Sequence, residues 1–196
     1  MKKLLLIIVA FALCQNLSAQ DERFPAPTEG YRGFAGMNVF AGMGKYPYDR
    51  FALTSVHGFQ ADNLYVGLGA SMQFLTNDEQ YYNDDNEVVD LDFIMPFFVD
   101  LNYELKPAKL TPFVDLKLGY AVGSANGMYL LPSVGFRLSQ INVWCGYNFM
   151  QSSSSTNSYE WNYNEEEYNR VCKTNTYNFH SIAFGVMIDW GGGRKK

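Results

Sequence analysis

Two serine–histidine pairs have the residue types and spacing that could support nucleophilic chemistry. Ser55 and His57 are separated by one residue, whereas His180 and Ser181 are adjacent. A histidine beside a serine can activate the hydroxyl for attack on an ester when a third, usually acidic, group orients the imidazole. On a β-strand, residues i and i+2 share a face and sequence neighbours do not. Ser55 and His57 therefore share a face but have no evident acidic partner, and the second pair is split between faces. We predict no catalytic residues and no enzyme activity, with both histidines near strand ends.

An acidic cluster could bind a divalent cation. Carboxylate oxygens are the ligands that Ca²⁺ prefers. The segment lacks the spacing and the turn glycine of an EF-hand loop, so we predict a solvated acidic loop and no metal or cofactor site. Its acidic residues are Asp78, Glu79, Asp84, Asp85 and Glu87.

These residues must be positioned by a chain with strongly alternating hydrophobicity. Between Leu64 and Leu75 every second residue, from Leu64 to Phe74, is apolar, and the residues between them are small or polar. A period of two is typical of a β-strand with one apolar and one polar face. The first two of eight such segments are weaker, because Ser55 and His57 fall on the apolar face and a bulge could shift the register. The predicted strands are 31–42, 50–60, 64–75, 89–103, 111–122, 128–138, 141–150 and 178–190.

The predicted connections alternate between two classes of length. Residues 61–63, 104–110 and 139–140 form short turns, whereas 43–49, 76–88, 123–127 and 151–177 form the other set, two of them long. A tilted strand of about 9–11 residues can cross a bilayer, and a sheet can do so only when it closes on itself. Short turns at one end and longer loops at the other are typical of outer-membrane barrels. We therefore predict an all-β fold, a closed antiparallel up-and-down transmembrane β-barrel of about eight strands with its apolar face toward lipid.

The N-terminus has the pattern of a secretory signal peptide. Lys2 and Lys3 supply positive charge, residues 4–13 are apolar, and Leu17-Ser18-Ala19 resembles a cleavage site. Cys14 leaves a lipoprotein alternative open, although Leu13 precedes it where a small residue is expected. The predicted organisation is a signal peptide at 1–19, a short periplasmic segment at 20–30, the barrel at 31–190 and a polar tail at 191–196, located in the outer membrane.

Charge and cysteine content exclude other classes. The formal net charge is −5, and losing Lys2 and Lys3 with the leader makes it more negative. Such a chain offers no basic patch for nucleic acid. Cys145 falls in a strand and Cys172 in a loop, too far apart in the expected hairpin for a disulfide. We expect isolated thiols.

Charged residues recur on the polar face of neighbouring predicted strands. An eight-stranded barrel has an interior just wide enough for side chains to fill. Counting from the turn centres puts Asp100 level with Asp115 and Arg137 diagonal to Asp115, where a cation would relieve the repulsion between carboxylates. We predict a charge-paired plug that stabilises the barrel, and a narrow ion path remains an alternative. The predicted lumen charge network is Asp92, Asp100, Asp115, Lys117 and Arg137.

The segment 151–177 combines polar and aromatic residues. It contains a run of serines at 152–155 and the aromatic residues Tyr159, Trp161, Tyr163 and Tyr168. Tyrosine and tryptophan provide contact area at low entropic cost, which favours a surface-contact loop. The alternation of Tyr159, Trp161 and Tyr163 equally favours two strands that extend beyond the barrel. Both interpretations remain open.

Three stretches resemble a known class of barrels. They are 96–103 (PFFVDLNY), 112–120 (PFVDLKLGY) and 132–137 (PSVGFR). Together they are similar to the central hairpin of the porin-like outer-membrane β-barrel families of Gram-negative bacteria, the class of outer-membrane protein A. The resemblance implies a cell-envelope barrel, inserted by the barrel-insertion machinery among outer-membrane lipid and lipopolysaccharide. The motifs specify a fold and no activity. Residues 191–196 follow Trp190, where many such barrels end at a terminal aromatic residue.

Four functions follow from these expectations. The leading one is a monomeric outer-membrane barrel with a structural or surface-contact role, in which 151–177 contacts an extracellular ligand. A narrow porin-like channel for ions or small solutes and a lipid-modifying outer-membrane hydrolase are alternatives. The last is a soluble barrel that binds a small ligand, in which the apolar face would point inward.

Overall fold

The computed structural model describes residues 29–76, 81–82, 88–89, 93–105, 110–162 and 167–193. At 81–82, 88–89, 154–162, 167–174 and 192–193 it describes the backbone alone. The predicted signal peptide, the acidic residues at 78–79, 84–85 and 87, Asp92 and Tyr163 lie outside the described residues.

Eight antiparallel strands close into a barrel, and each pairs with its neighbours along the chain. The first strand pairs with the last, which closes the barrel. The predicted all-β, closed up-and-down fold of eight strands is confirmed. Two further short strands, at 81–82 and 88–89, pair with each other in the connection between the third and fourth strands of the barrel. The strands are β1 (Glu29–Met43), β2 (Arg50–Ala61), β3 (Leu64–Leu75), β4 (Tyr81–Tyr82), β5 (Val88–Val89), β6 (Phe93–Glu104), β7 (Leu110–Gly123), β8 (Gly127–Leu138), β9 (Ile141–Asn162) and β10 (Glu167–Gly193).

The apolar column of each strand faces outward. Leu68 and Phe59 are 69% and 68% exposed on the outer surface, whereas Arg32 and Arg50 are 1% and 2% exposed inside. The alternative of a soluble barrel with an apolar interior face and a polar outer face does not fit this arrangement. Within the described part of the chain, there are no helices of the length and hydropathy that spanning a membrane requires.

Strand β2 is regular, and the bulge considered for it is absent. It pairs residue by residue with β1 and with β3 from Arg50 to Ala61. Ser55 and His57 therefore remain on the outward face. The register shift in this region lies instead between Glu29 and Arg32 of β1, opposite β10.

The two strand prolines interrupt pairing without shifting it. Next to Pro96 the β3–β6 ladder omits two residue pairs and resumes in the same register, and the β8–β9 ladder does the same next to Pro132. A proline has no N–H to donate, so only the neighbour on that side loses its partner. Neither proline marks a bulge or a strand end.

Small residues inside the barrel make room for large ones. A Cβ atom at Gly185 would lie 2.3 Å from both Trp144 Cε2 and Asn38 Oδ1. A Cβ atom at Gly69 would lie 2.5 Å from Phe98 Cε2. These contacts are too short for any side chain, so glycine at these two positions allows the aromatic rings to cross the interior.

Strands β9 and β10 continue well beyond the barrel. They pair with each other without interruption, from Ile141 opposite Ile188 to Asn162 opposite Glu167. Their other neighbours end earlier, since β8 pairs with β9 only as far as Met150 and β1 pairs with β10 only as far as His180. Of the two interpretations of 151–177, the structure shows the strand extensions, which we call the outer ribbon (151–162 and 167–178).

Candidate functional site

Four charged side chains meet inside the barrel at the end that carries the short turns, which we call the turn end. Arg32 Nη1 donates to Glu104 Oε1 at 2.7 Å and to Gln60 Oε1 at 2.8 Å, and Arg32 Nε donates to Asp189 Oδ2 at 3.0 Å. Arg137 binds the same Glu104 through both Nη atoms, with Nη2 2.7 Å from Oε2. All four charged groups are buried. Their formal charges cancel in this turn-end cluster.

Barrel closure assembles the turn-end cluster from strands that are distant in sequence. Arg32 lies on β1, Glu104 on β6, Arg137 on β8 and Asp189 on β10. The predicted lumen charge network did not include Arg32, Glu104 or Asp189. Glu104 continues the inward column of β6 by one step beyond Asn102, which is a usable signal. Arg32 has no such signal, because Phe34 and Phe40 on the same inward face of β1 hide the alternation of polarity.

A second group, the central cluster, lies on β6, β7 and β8. Lys117 Nζ bonds to Asp115 Oδ2 and lies 3.4 Å from Asp100 Oδ1. Ser133 Oγ donates to Asp115 Oδ2 at 3.0 Å. The structure thus brings together Asp100, Asp115 and Lys117, three of the predicted lumen residues, in a group with a formal charge of one negative unit.

The expected levels of these residues were wrong. Asp100 is level with Lys117, not with Asp115, and Asp115 is level with Asn102 and Ser133. The β6–β7 connection closes with a hydrogen bond from the Leu105 N–H to the Pro112 carbonyl, which places its centre later than the middle of 104–110. A shifted turn centre moves every pair on both strands.

Arg137 is not diagonal to Asp115 and does not join the central cluster. It is level with Thr111 on β7. Along β8 it lies four positions from Ser133, the residue that is level with Asp115. At that level its guanidinium reaches Glu104 of the turn-end cluster. Asp92, the fifth predicted lumen residue, lies outside the described residues.

Arg50 carries a buried charge near the opposite end of the barrel, the loop end. Its Nη1 donates to Gln73 Oε1 at 2.8 Å, and its Nη2 donates to Asn148 Oδ1 at 2.8 Å and Ser181 Oγ at 2.9 Å. The guanidinium lies over the Phe40 ring at 4.9 Å. Sequence reasoning missed this site because the acceptors are neutral and come from β3, β9 and β10.

Aromatic and aliphatic side chains fill the space between and above the charged groups. Phe98 and Tyr129 stack at 5.8 Å in the middle of the barrel. At the loop end Tyr46 and Tyr48 pack against Phe179 at 5.8 and 6.0 Å, forming an apolar layer above Arg50. A cavity of about 20 Å³ lies between the turn-end and central clusters. That volume is about enough for one water molecule.

The Ser55–His57 pair lies on the outer surface and is hydrogen-bonded. Ser55 Oγ is 3.1 Å from His57 Nε2, and Tyr31 Oη is 2.6 Å from Nδ1. The third partner is therefore a phenol and not a carboxylate. A neutral phenol does not stabilise the imidazolium that forms when a histidine takes the serine proton, as the carboxylate of a triad does. The described contacts therefore lack the acidic partner that serine activation requires.

His180 makes the same kind of pair near the loop end. Tyr147 Oη contacts His180 Nδ1, and the Phe149 ring lies 5.4 Å from the imidazole. Near the turn end, Trp190 lies 5.8 Å from the His57 ring. Ser181 faces inward and bonds Arg50. The two histidines thus belong to aromatic clusters on the outer surface at opposite ends of the barrel.

Three of the predicted surface-contact residues lie on the backbone of the outer ribbon. Tyr159 pairs with Arg170, and Trp161 pairs with Tyr168. Directly opposed residues, and residues two apart, share one face of a ribbon. The register therefore places positions 159, 161, 168 and 170 on the same face.

Cys145 is a free, exposed cysteine, and it is level with Phe184, twelve residues along β10 from Cys172. Among the described residues, no group of three or more His, Cys, Asp or Glu side chains is arranged to hold a metal ion.

No protein-family model matches the chain, and no curated protein matches it.

Proposed function

We propose that the chain is an integral outer-membrane β-barrel with a structural or surface-contact role, and that its interior is a charged plug. The observation that carries the proposal is the inverted distribution of polarity, with apolar side chains outside and ion pairs inside. Such a surface is costly in water and favourable in lipid. An eight-stranded barrel of this kind fits an outer-membrane barrel protein in general.

The height of the apolar belt supports a membrane location. On β10, Trp190 belongs to the aromatic cluster on the outer surface at the turn end, and His180 belongs to the aromatic cluster on the outer surface at the loop end. The outward residues between them are Ile182, Phe184, Val186 and Ile188. Ten residues at about 3.3 Å each, tilted by about 40°, rise roughly 25 Å along the barrel axis. Outer-membrane barrels have an apolar band of about 25 Å between aromatic girdles.

The filled interior favours a plug over a pore. Ion pairs, Arg50 and stacked aromatic rings occupy successive levels from the turn end to the loop end. The cavity of about 20 Å³ holds about one water and not a column of them. The narrow channel remains the alternative, and conductance in planar bilayers distinguishes the two. We propose no enzyme activity, because the described partners of His57 are a phenol and a serine hydroxyl, and neither is the acidic group that orients the histidine of a hydrolase triad.

A pair of phenylalanine substitutions tests the membrane location. Phe184 lies between the two aromatic clusters of the outer surface, whereas Phe59 lies beside the turn-end aromatic cluster. Both side chains are exposed on the outer face. Arginine costs about 2–4 kcal/mol at the bilayer midplane and about 0–1 kcal/mol near the interface. In vesicles, Phe184→Arg should therefore reduce the free energy of unfolding by more than Phe59→Arg. Equal effects, or recovery of the chain in the soluble periplasm, would contradict the membrane location.

The outer ribbon supports the surface-contact role, because its two faces differ in charge. Met150 and Phe179 are buried inside the barrel, so the positions 159, 161, 168 and 170 continue the outward face. By register, the aromatic residues and Arg170 lie on this face. No Asp or Glu of 151–162 or 167–178 lies on it. Glu160 and Glu167 are both on the opposite face. We propose that the aromatic face contacts the phosphorylated sugars of lipopolysaccharide, since guanidinium groups bind phosphate and carboxylates repel it.

Matched charge removals on the two faces test this contact. Arg170→Gln removes a cation from the aromatic face, whereas Lys173→Gln removes one from the opposite face of the same ribbon. Addition of lipopolysaccharide to the vesicles should raise the unfolding temperature of the wild type and of Lys173→Gln. The rise should be markedly smaller for Arg170→Gln. An equal rise in both variants would show that the aromatic face does not recognise the phosphorylated sugars.

A further inference from the structure

The cavity between the two ion clusters is lined by groups from both of them. Arg32 and Glu104 of the turn-end cluster and Asp100, Asp115 and Lys117 of the central cluster all border it. Every one of these side chains is at most 6% exposed. The cavity is therefore a polar space held by buried charges, with a volume of about 20 Å³.

Four buried polar atoms of residues bordering the cavity have no hydrogen-bond partner among the described residues. They are Asp100 Oδ1 and Asp115 Oδ1, which accept hydrogen bonds, and Asn142 Nδ2 and Trp144 Nε1, which donate them. Lys117 is 3.4 Å from Asp100 Oδ1 but bonds to Asp115 through the other oxygen. Buried polar groups are almost always satisfied by protein or by ordered water. These four atoms therefore indicate that the cavity holds a polar ligand.

We propose that this cavity is a specific binding site for one water molecule. A water has two hydrogens to donate, which match the two carboxylate oxygens, and its oxygen can accept hydrogen bonds from the Asn142 amide and the Trp144 indole N–H. The volume exceeds the 10–15 Å³ or so that a single water needs, and buried waters typically have two to four polar partners. A metal cation fits less well, because the Lys117 ammonium and the Asn142 N–H would both repel it.

The bound water lies between two ion clusters that the protein itself leaves separate. Glu104 and Arg32 belong to one cluster and Asp100 and Asp115 to the other, and the described residues show no direct bond between the two groups. The water bridges the two carboxylates of the central cluster to Asn142, which is level with Arg137 of the turn-end cluster. This inference concerns the interior alone and does not depend on whether the outer face contacts lipid.

Nuclear magnetic resonance of the folded barrel tests the site without any substitution. The buried Asn148 amide is a matched control, because its Nδ2 donates to the Leu130 carbonyl at 3.3 Å. With side-chain amides labelled, we expect a cross-peak between bound water and the Asn142 Nδ2 protons, and none for Asn148. A missing cross-peak for Asn142 would overturn the proposal. So would a shift of the Asn142 resonance when Na⁺ is exchanged for Tl⁺, because it would identify a cation as the ligand.

Discussion

Removal of the Glu104 charge is the most direct test of the buried ion clusters. Glu104 accepts hydrogen bonds from Arg137 through both of its oxygens and from Arg32 through one. Glu104→Gln preserves the shape of the side chain but leaves two buried guanidinium groups with Asp189 as their one carboxylate in the turn-end cluster. The formal charge of the cluster therefore rises from zero to one positive unit.

The expected cost follows from the burial of these groups. The side chains of Arg32, Arg137 and Glu104 are only 1%, 5% and 6% exposed, so water cannot screen the uncompensated charge. Removing one partner of a buried ion pair costs about 3–5 kcal/mol. Since the glutamine oxygen still accepts one hydrogen bond, we expect a loss near the lower bound, about 3 kcal/mol. That is a large fraction of the 5–15 kcal/mol or so that stabilises a typical domain.

Urea unfolding of the refolded barrel, followed by heat-modifiable gel mobility, measures this loss. The unfolding midpoint should fall for Glu104→Gln without a change in the dependence on urea. Asp62→Asn makes the same chemical change at an exposed turn of the same barrel end, and it should stay within about 0.5 kcal/mol of the wild type. The asparagine suits the positive φ of 50° at this position.

A double substitution separates lost charge balance from other damage. Glu104→Gln with Arg137→Gln restores a neutral cluster of Arg32 and Asp189, so it should recover at least half of the stability lost by Glu104→Gln. Two results would refute the reasoning. One is a cost below about 1 kcal/mol for Glu104→Gln, and the other is a double variant whose cost equals the sum of the single ones.

Three further predictions address packing, the outer ribbon and catalysis. Gly185→Ala should destabilise the barrel by about 1–3 kcal/mol in urea unfolding, because the added Cβ collides with Trp144 and Asn38; an unchanged midpoint would contradict the tight packing. Deletion of 155–172 should leave insertion into vesicles and heat-modifiable mobility intact, since the barrel strands pair without this segment; failure to insert would show that the ribbon is needed for folding. Phospholipid vesicles containing the wild type or Ser55→Ala should release fatty acid at the same background rate, and release that depends on Ser55 would establish a hydrolase.

The prolines and the glycines show how far sequence patterns reach. Pro96 and Pro132 each indicate a missing backbone N–H donor. The sequence does not predict that the strand pairing resumes in the same register beyond each proline. Glycine on the inward face indicates space for a large neighbour. That Gly185 accommodates Trp144 from the adjacent strand follows only from the pairing of β9 with β10.

The amino-acid sequence by itself determined the number and positions of the eight barrel strands and which residues share a face of each strand. These properties are local, because a period of two in polarity depends only on neighbours along the chain. The structure decides that the polar face is the inner one, where the predicted residues Asp100, Asp115, Lys117 and Arg137 are found.

Only the tertiary structure decided which of these charges meet. A turn centre displaced by one or two residues changes every cross-strand partner, so Lys117 is level with Asp100 and Arg137 reaches Glu104. Closure of β1 against β10 brings Arg32 to Asp189 across 157 positions of sequence. No local pattern encodes such contacts, because their geometry depends on the register of all eight strands at once.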